Sequence, residues 1–316
     1  MRVAIFIVFA ILCRGQAEEV IERAQALANS GNLREAEQEL IGLLSRPEAA
    51  AYDVVVTATA YADLATVYHD MGRVMQAEHA YEKARSLLGE HSTDAMRRIL
   101  WFRITSNLAS MYMESGQTGK AERLVEVLLK RDVPEGEDAG RFKGTQASLL
   151  MVRGRHKDAE KLFLSLLEHW RQHGNAKEMA VVLNNLGVLA IRRGDPRTAA
   201  VKLGQSLEMW NKAVGANHPA VLSASANYGY ALLLAGRKEQ AAALIEKSLA
   251  VARTVHGEGT PITAHLATLW AEALRATGRG KEASRAKAEA ERMSSALSAS
   301  DPSRHTVDVL DLVRQR

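Results

Sequence analysis

Several things are scarce in this sequence, and each scarcity closes off a class of protein. There is one cysteine, Cys13, so a disulfide framework or a thiolate site has nothing to build on. Only 6 of 316 residues are proline and 5% are aromatic. Ala, Leu and Glu recur instead, a composition that suits helices and not sheets. The one uninterrupted apolar run is Val3 to Leu12, too short to span a bilayer, and no later segment approaches the ~20 residues a transmembrane helix needs. Neither sign of charge dominates, because 41 Lys and Arg stand against 37 Asp and Glu, interspersed along the chain. Nucleic-acid binding requires a concentrated basic field, so no nucleic-acid partner is expected.

The first seventeen residues follow rules of their own. Arg2 supplies a positive start, the apolar run follows, and Gly15-Gln16-Ala17 places small residues where a signal peptidase cuts. Residues 1–17 are therefore read as a cleaved export signal, giving a soluble periplasmic or secreted chain that begins at Glu18; a retained anchor is the alternative. The bulky Leu12 directly before Cys13 argues against lipid attachment. Removing the signal also removes Cys13, Arg2 and Arg14, leaving 39 basic and 37 acidic residues.

The rest of the chain repeats itself. A glycine followed five residues later by alanine occurs at Gly31, Gly72, Gly116, Gly154, Gly194, Gly236 and Gly278, in steps of 41, 44, 38, 40, 42 and 42 residues. Seven residues before each glycine stands Ala24, Ala65, Ala109, Ala147, Gly187, Gly229 or Ala271. This predicts two antiparallel helices per unit: glycine ends the first by taking positive φ, and the small residue faces the alanine so that the axes approach closely. Larger apolar residues recur around that contact at helical spacing, among them Leu64 and Tyr68, Leu108 and Tyr112, then Tyr81, Val125, Phe163, Leu203 and Ile245 on the second helices. One pair cannot bury its apolar face alone, so the pairs must stack. The expected fold is all-α, a right-handed α-α superhelix of about seven helix pairs over residues 18–300.

These columns resemble the tetratricopeptide repeat, whose usual period is ~34 residues. The longer step here is similar to the kinesin-light-chain-like subtype, as are the links Gly215-Ala216-Asn217-His218-Pro219 and Gly257-Glu258-Gly259-Thr260-Pro261, with Gly89 to Thr93 as a degenerate copy. Departures are Arg23 and Gln146 where leucine is usual, and the segment 132–140 reads as an irregular loop. Asp301-Pro302-Ser303 breaks the last helix. The tail, 301–316, alternates over His305 to Leu312 as an extended segment lying on another surface would, unless it is simply a loose C-terminus.

No enzyme signature is present, and none is expected. Gly278-Arg279-Gly280-Lys281 imitates a phosphate loop, but Arg275 stands at its first glycine and Glu282 at its Ser or Thr. His169 and His173 lie one helical turn apart with no third ligand evident. No cofactor and no metal are expected. What the resemblance does imply is a concave groove lined by first helices, whose peptide-binding positions would be Arg103, Asn107, Ser110, Arg141, Thr145, Ser148, Asn184, Asn185, Asn227, Tyr230, His265 and Glu272. Asparagine recurs in one column at 107, 185 and 227, and an amide can both donate to and accept from an extended backbone; bonding between neighbouring helices is the other use of such a column. Arg103 and Arg141 would add contacts to an acidic residue. The lysine column that chaperone-binding members use reads Ile21, Ala62, Ser106, Gly144, Asn184, Ala226 and Thr268, so chaperone C-termini are not expected. The resulting expectation is an exported scaffold or adaptor that binds a protein or extended peptide; a peptide-gated regulator whose superhelix changes shape is the alternative.

Overall fold

A computed structural model describes residues 2–46, 52–131 and 136–300. Within them lie fourteen α-helices and no strand: α1 (Arg2–Asn29), α2 (Leu33–Leu44), α3 (Val54–Asp70), α4 (Val74–Leu88), α5 (Ala95–Glu114), α6 (Thr118–Leu129), α7 (Glu137–Val152), α8 (His156–Gln172), α9 (Ala176–Arg192), α10 (Pro196–Val214), α11 (Pro219–Leu234), α12 (Lys238–His256), α13 (Pro261–Ala276) and α14 (Gly280–Ser300). They pair in chain order, odd helix with the even one after it, and the pairs stack into an α-α superhelix. None of the described helices is long and apolar enough to cross a membrane.

Each repeat glycine ends an odd helix with φ between +73° and +89°. The residue after it donates its backbone N–H to the carbonyl five residues back, as in Arg73 to Tyr68, Asp195 to Ala190 and Arg279 to Leu274, at 2.7 to 2.9 Å. This Schellman closure satisfies carbonyls that the helix end would otherwise orphan while turning the chain back. The links on the opposite edge use other devices. Gly89, Gly215 and Gly257 end even helices at positive φ, Pro219 and Pro261 open the next helix where a missing N–H costs nothing, and Asp53, Asp94, Asn175, His218 and Thr260 cap it with a side-chain acceptor.

Two expectations need correcting. The loop read over 132–140 is shorter, because Glu137 already begins α7; residues 132–135 lie outside those described. The partner of the small residue also differs. A Cβ built on Gly187 would lie 2.4 Å from Leu203 Cγ, and one on Gly229 would lie 2.6 Å from Ile245 Cγ1, so the small position faces the residue nine beyond the glycine. Helix rise explains this: positions equally far from the turn on two antiparallel helices stand at one height, and the alanine five beyond it sits nearer the turn. That alanine is nonetheless fully buried at Ala36, Ala77, Ala121, Ala159, Ala199 and Ala241.

Stacking adds a charge pattern on the turn edge. Glu37 pairs with Arg73 at 2.6 Å, Glu78 with Lys120 at 2.8 Å, Glu122 with Arg153 at 2.6 Å and Glu160 with Arg193 at 2.6 Å, each glutamate reaching into the next repeat. Ala200 and Ala242 occupy that column afterwards. Exposed pairs of this kind contribute ~0–1 kcal/mol each. Arg23, at an expected leucine position, stays exposed and pairs with Glu39 at 3.1 Å. One superhelical turn brings the first repeat back onto later ones: His218 Nε2 lies 3.2 Å from Asn29 Oδ1, and Gly31 packs against Val255 and His256. Tail 301–316 lies outside the described residues.

Replacing Gly187 by leucine forces a side chain into the space that Leu203 fills. We expect a loss of ~1–3 kcal/mol or more from overpacking, read as a lowered urea midpoint, whereas unchanged unfolding would disprove the pairing of Gly187 with Leu203.

Candidate functional site

Odd helices face the concave side, and α5, α7, α9 and α11 together line a groove of about 670 Å³. Its polar wall contains Asn107 and Ser110 from α5, Arg141, Thr145 and Ser148 from α7, Asn184 and Asn185 from α9, and Asn227 from α11. Leu166 and Trp170 from α8 and Trp210 from α10 reach the same space, joined by Val181 and Val182. The sequence reading anticipated the amides but missed this apolar component, because Trp170 and Trp210 belong to even helices, which repeat position alone assigns to the outer layer.

The polar groups are largely engaged with one another. Asn227 Nδ2 donates to Asn184 Oδ1 at 2.9 Å, and Ser110 Oγ and Thr145 Oγ1 are 3.4 Å apart. Arg103 grips Asp138 through two hydrogen bonds of 2.9 and 3.1 Å. Arg141 donates to Glu178 at 2.7 Å and to Glu137 at 3.1 Å. Both arginines therefore already have carboxylates at hydrogen-bond distance, and the wall offers little net positive charge to an acidic ligand. Asp138 is nearly buried, so its two-point contact is of the charge-assisted, bidentate kind. Asn107 and Asn185 make no side-chain hydrogen bond within the described residues, and each can present both a donor and an acceptor.

Four anticipated residues stand elsewhere. Arg103 lies outside the groove lining, on its ion pair with Asp138. Tyr230 is 8% exposed and packs in the core of the last repeats, where an aromatic ring gains more from burial than from water. His265 is part-buried on α13. Glu272 lines a separate cavity between α13 and α14, with Thr268, Ala283 and Lys287. The His169 and His173 rings are 4.2 Å apart, and His173 Nδ1 turns to the His169 carbonyl at 2.8 Å.

At the N-terminal end, burial lifts the carboxyls of Asp63 and Asp70 on α3 to about 6. A 2.8 Å hydrogen bond from Gln25 partly offsets this at Asp63, as the charge of His69 does at Asp70, where Glu114 adds to the lift. A carboxyl whose folded value is raised favours folding most when protonated, below its ordinary range, and loses that contribution as pH rises through about 6. Asp70→Asn should accordingly raise stability at pH 8 by ~1–3 kcal/mol, with the gain gone below about pH 4. Urea unfolding of both proteins at the two pH values checks the sign.

Comparison with known proteins agrees with this geometry. Tetratricopeptide-repeat family models match residues 142–212, 178–254 and 58–87. Among solved structures, NprR in complex with its cognate peptide NprX superposes with a TM-score of 0.61 at 15% identity, covering 86% of this chain and 76% of that one. A Rap protein complexed with Competence and Sporulation Factor gives 0.56 at 13%, covering 90% and 99%. BtubC (BKLC) from P. vanneervenii gives 0.54 at 18%, covering 72% and 92%. At such identities the likeness concerns the fold. No curated protein matches the chain. With its glycine turns, its small-residue column and its ~42-residue step, the chain resembles tetratricopeptide-repeat proteins, whose family models match it over residues 58–87 and 142–254.

Proposed function

We propose that this protein is an exported, non-catalytic scaffold or adaptor that holds an extended peptide or protein segment in its concave groove. The observation that carries the reading is the pair of unengaged amides, Asn107 and Asn185, set in one groove with the Asn184–Asn227 pair and the accessible apolar side chains of Val181 and Trp210. An extended backbone has a donor and an acceptor at every residue, and an amide answers both without regard to side chain. The neutralised Arg103 and Arg141 favour a ligand recognised by its backbone and apolar side chains over one recognised by charge. Two of the proteins that share the fold, NprR and a Rap protein, were solved with a peptide or factor bound, which supports a peptide-binding role here.

The direct test compares the protein with a folded variant carrying Asn107→Ala, Asn185→Ala and Asn227→Ala, using partners captured from envelope extract. Three lost hydrogen bonds at ~0.5–1.5 kcal/mol each amount to roughly ten- to a thousandfold weaker capture. Equal capture by both proteins would move the binding surface to the outer face or the tail. Export has its own readout: the protein recovered outside the cytoplasm should begin Glu18-Glu19-Val20, and an intact N-terminus there would disprove cleavage after Ala17.

A further inference from the structure

Turns and links occupy opposite edges of the helical ribbon. The glycine turns join odd to even helices on one edge, and the links joining even to odd helices run along the other. The first repeat breaks this separation. Its turn, on one edge, meets the α10–α11 and α12–α13 links, on the other, about two hundred residues further along the chain.

The contact is close and specific. A Cβ on Gly31 would lie 2.6 Å from His256 Cε1 and 2.8 Å from Val255 Cγ1, whereas Gly154, Gly194, Gly236 and Gly278, with similar positive φ, have nothing within 4 Å. His218 Nδ1 accepts the Ala220 N–H at 3.1 Å as the cap of α11. That leaves the proton on Nε2, which faces Asn29 Oδ1 at 3.2 Å and can donate to it. His256 Nε2 lies 3.0 Å from the carbonyl of Asn217, which fixes its proton on Nε2 as well, and its Nδ1 is buried with no hydrogen-bond partner. His218 also stacks at 6.2 Å on Trp210, which lines the groove.

We infer that the turn of the first repeat and the links beginning α11 and α13 form a latch, held by the imidazoles of His218 and His256, that closes one turn of the superhelix onto the next. The latch requires both rings uncharged. A proton on His218 Nδ1 would set a donor against the Ala220 N–H and destroy the cap; a proton on His256 Nδ1 would bury a cation beside Gly31. Burial holds both imidazoles below their usual value, and at His218 the charges of Lys177 on α9 and of His256 act in the same direction. At His256 the carbonyls of Asn217 and Gly31 favour the charged ring and only partly offset the burial. The open form, with ordinary imidazoles, takes up protons first, so closure is complete above about pH 6.5 and is lost as pH falls below that.

Small-angle scattering of the full chain at pH 7.5 and 5.0 tests this without any ligand, and so independently of the peptide-binding reading. The radius of gyration should increase on acidification. Gly31→Leu should be expanded at both pH values, while Gly154→Leu, equally strained but with open space around it, should behave as the unaltered chain. His218→Asn combined with His256→Gln keeps a capping acceptor and a donor but cannot titrate, so it should stay compact throughout. Asp63 and Asp70, which also titrate in this range, remain in that variant; if it expands as much as the unaltered chain, the histidines do not hold the contact. Equal dimensions for Gly31→Leu and Gly154→Leu at pH 7.5 would overturn the latch itself.

Discussion

Everything in this molecule rests on how closely the two helices of each repeat approach. At Gly187 and Gly229 the approach is so close that a single methyl group would collide with Leu203 or Ile245, and elsewhere the column admits alanine and nothing larger. The short separation lets one even-helix side chain lie flat across its odd partner, and the paired unit then offers a uniform face to the next repeat. Stacking, the concave groove and the superhelical turn follow from repeating that unit.

The repeat framework was legible in the sequence because each of its columns answers a local demand. Glycine was required where φ is positive, a small residue where two axes meet, and alanine where the turn crowds the second helix. The groove was less legible, since its chemistry depends on pairs formed between repeats. Asp138 sits 35 residues after Arg103 and Glu178 sits 37 after Arg141, separations close to one repeat, so a search for opposite charges at that offset would have found them. The same search would have revealed Glu37 with Arg73, 36 residues apart, but not the pairs of Glu78, Glu122 and Glu160, whose partners stand 42, 31 and 33 residues on. Tyr230 illustrates a different limit: its column faces the groove in a regular repeat, but local packing turned the ring into the core.

The division of polar labour along the concave side follows from these pairs. Charged residues mostly bind one another across neighbouring odd helices and hold those helices in register, while two amides and the part-exposed Trp210 indole remain on the groove wall. A surface arranged in this way discriminates poorly by charge and better by shape, by backbone accessibility and by the presence of a bulky apolar side chain beside an extended stretch.

The meeting of the first repeat with His218 and His256 gives the molecule a topology that an open solenoid lacks. A strip that touches itself encloses a hole, and a hole distinguishes a thread with a free end from a loop anchored at both sides. On the latch and groove proposed above, a short peptide or the terminus of a longer chain could slide in along the axis while the contact stands. The middle of a folded protein's backbone cannot, however well it fits the wall, until the ring is broken.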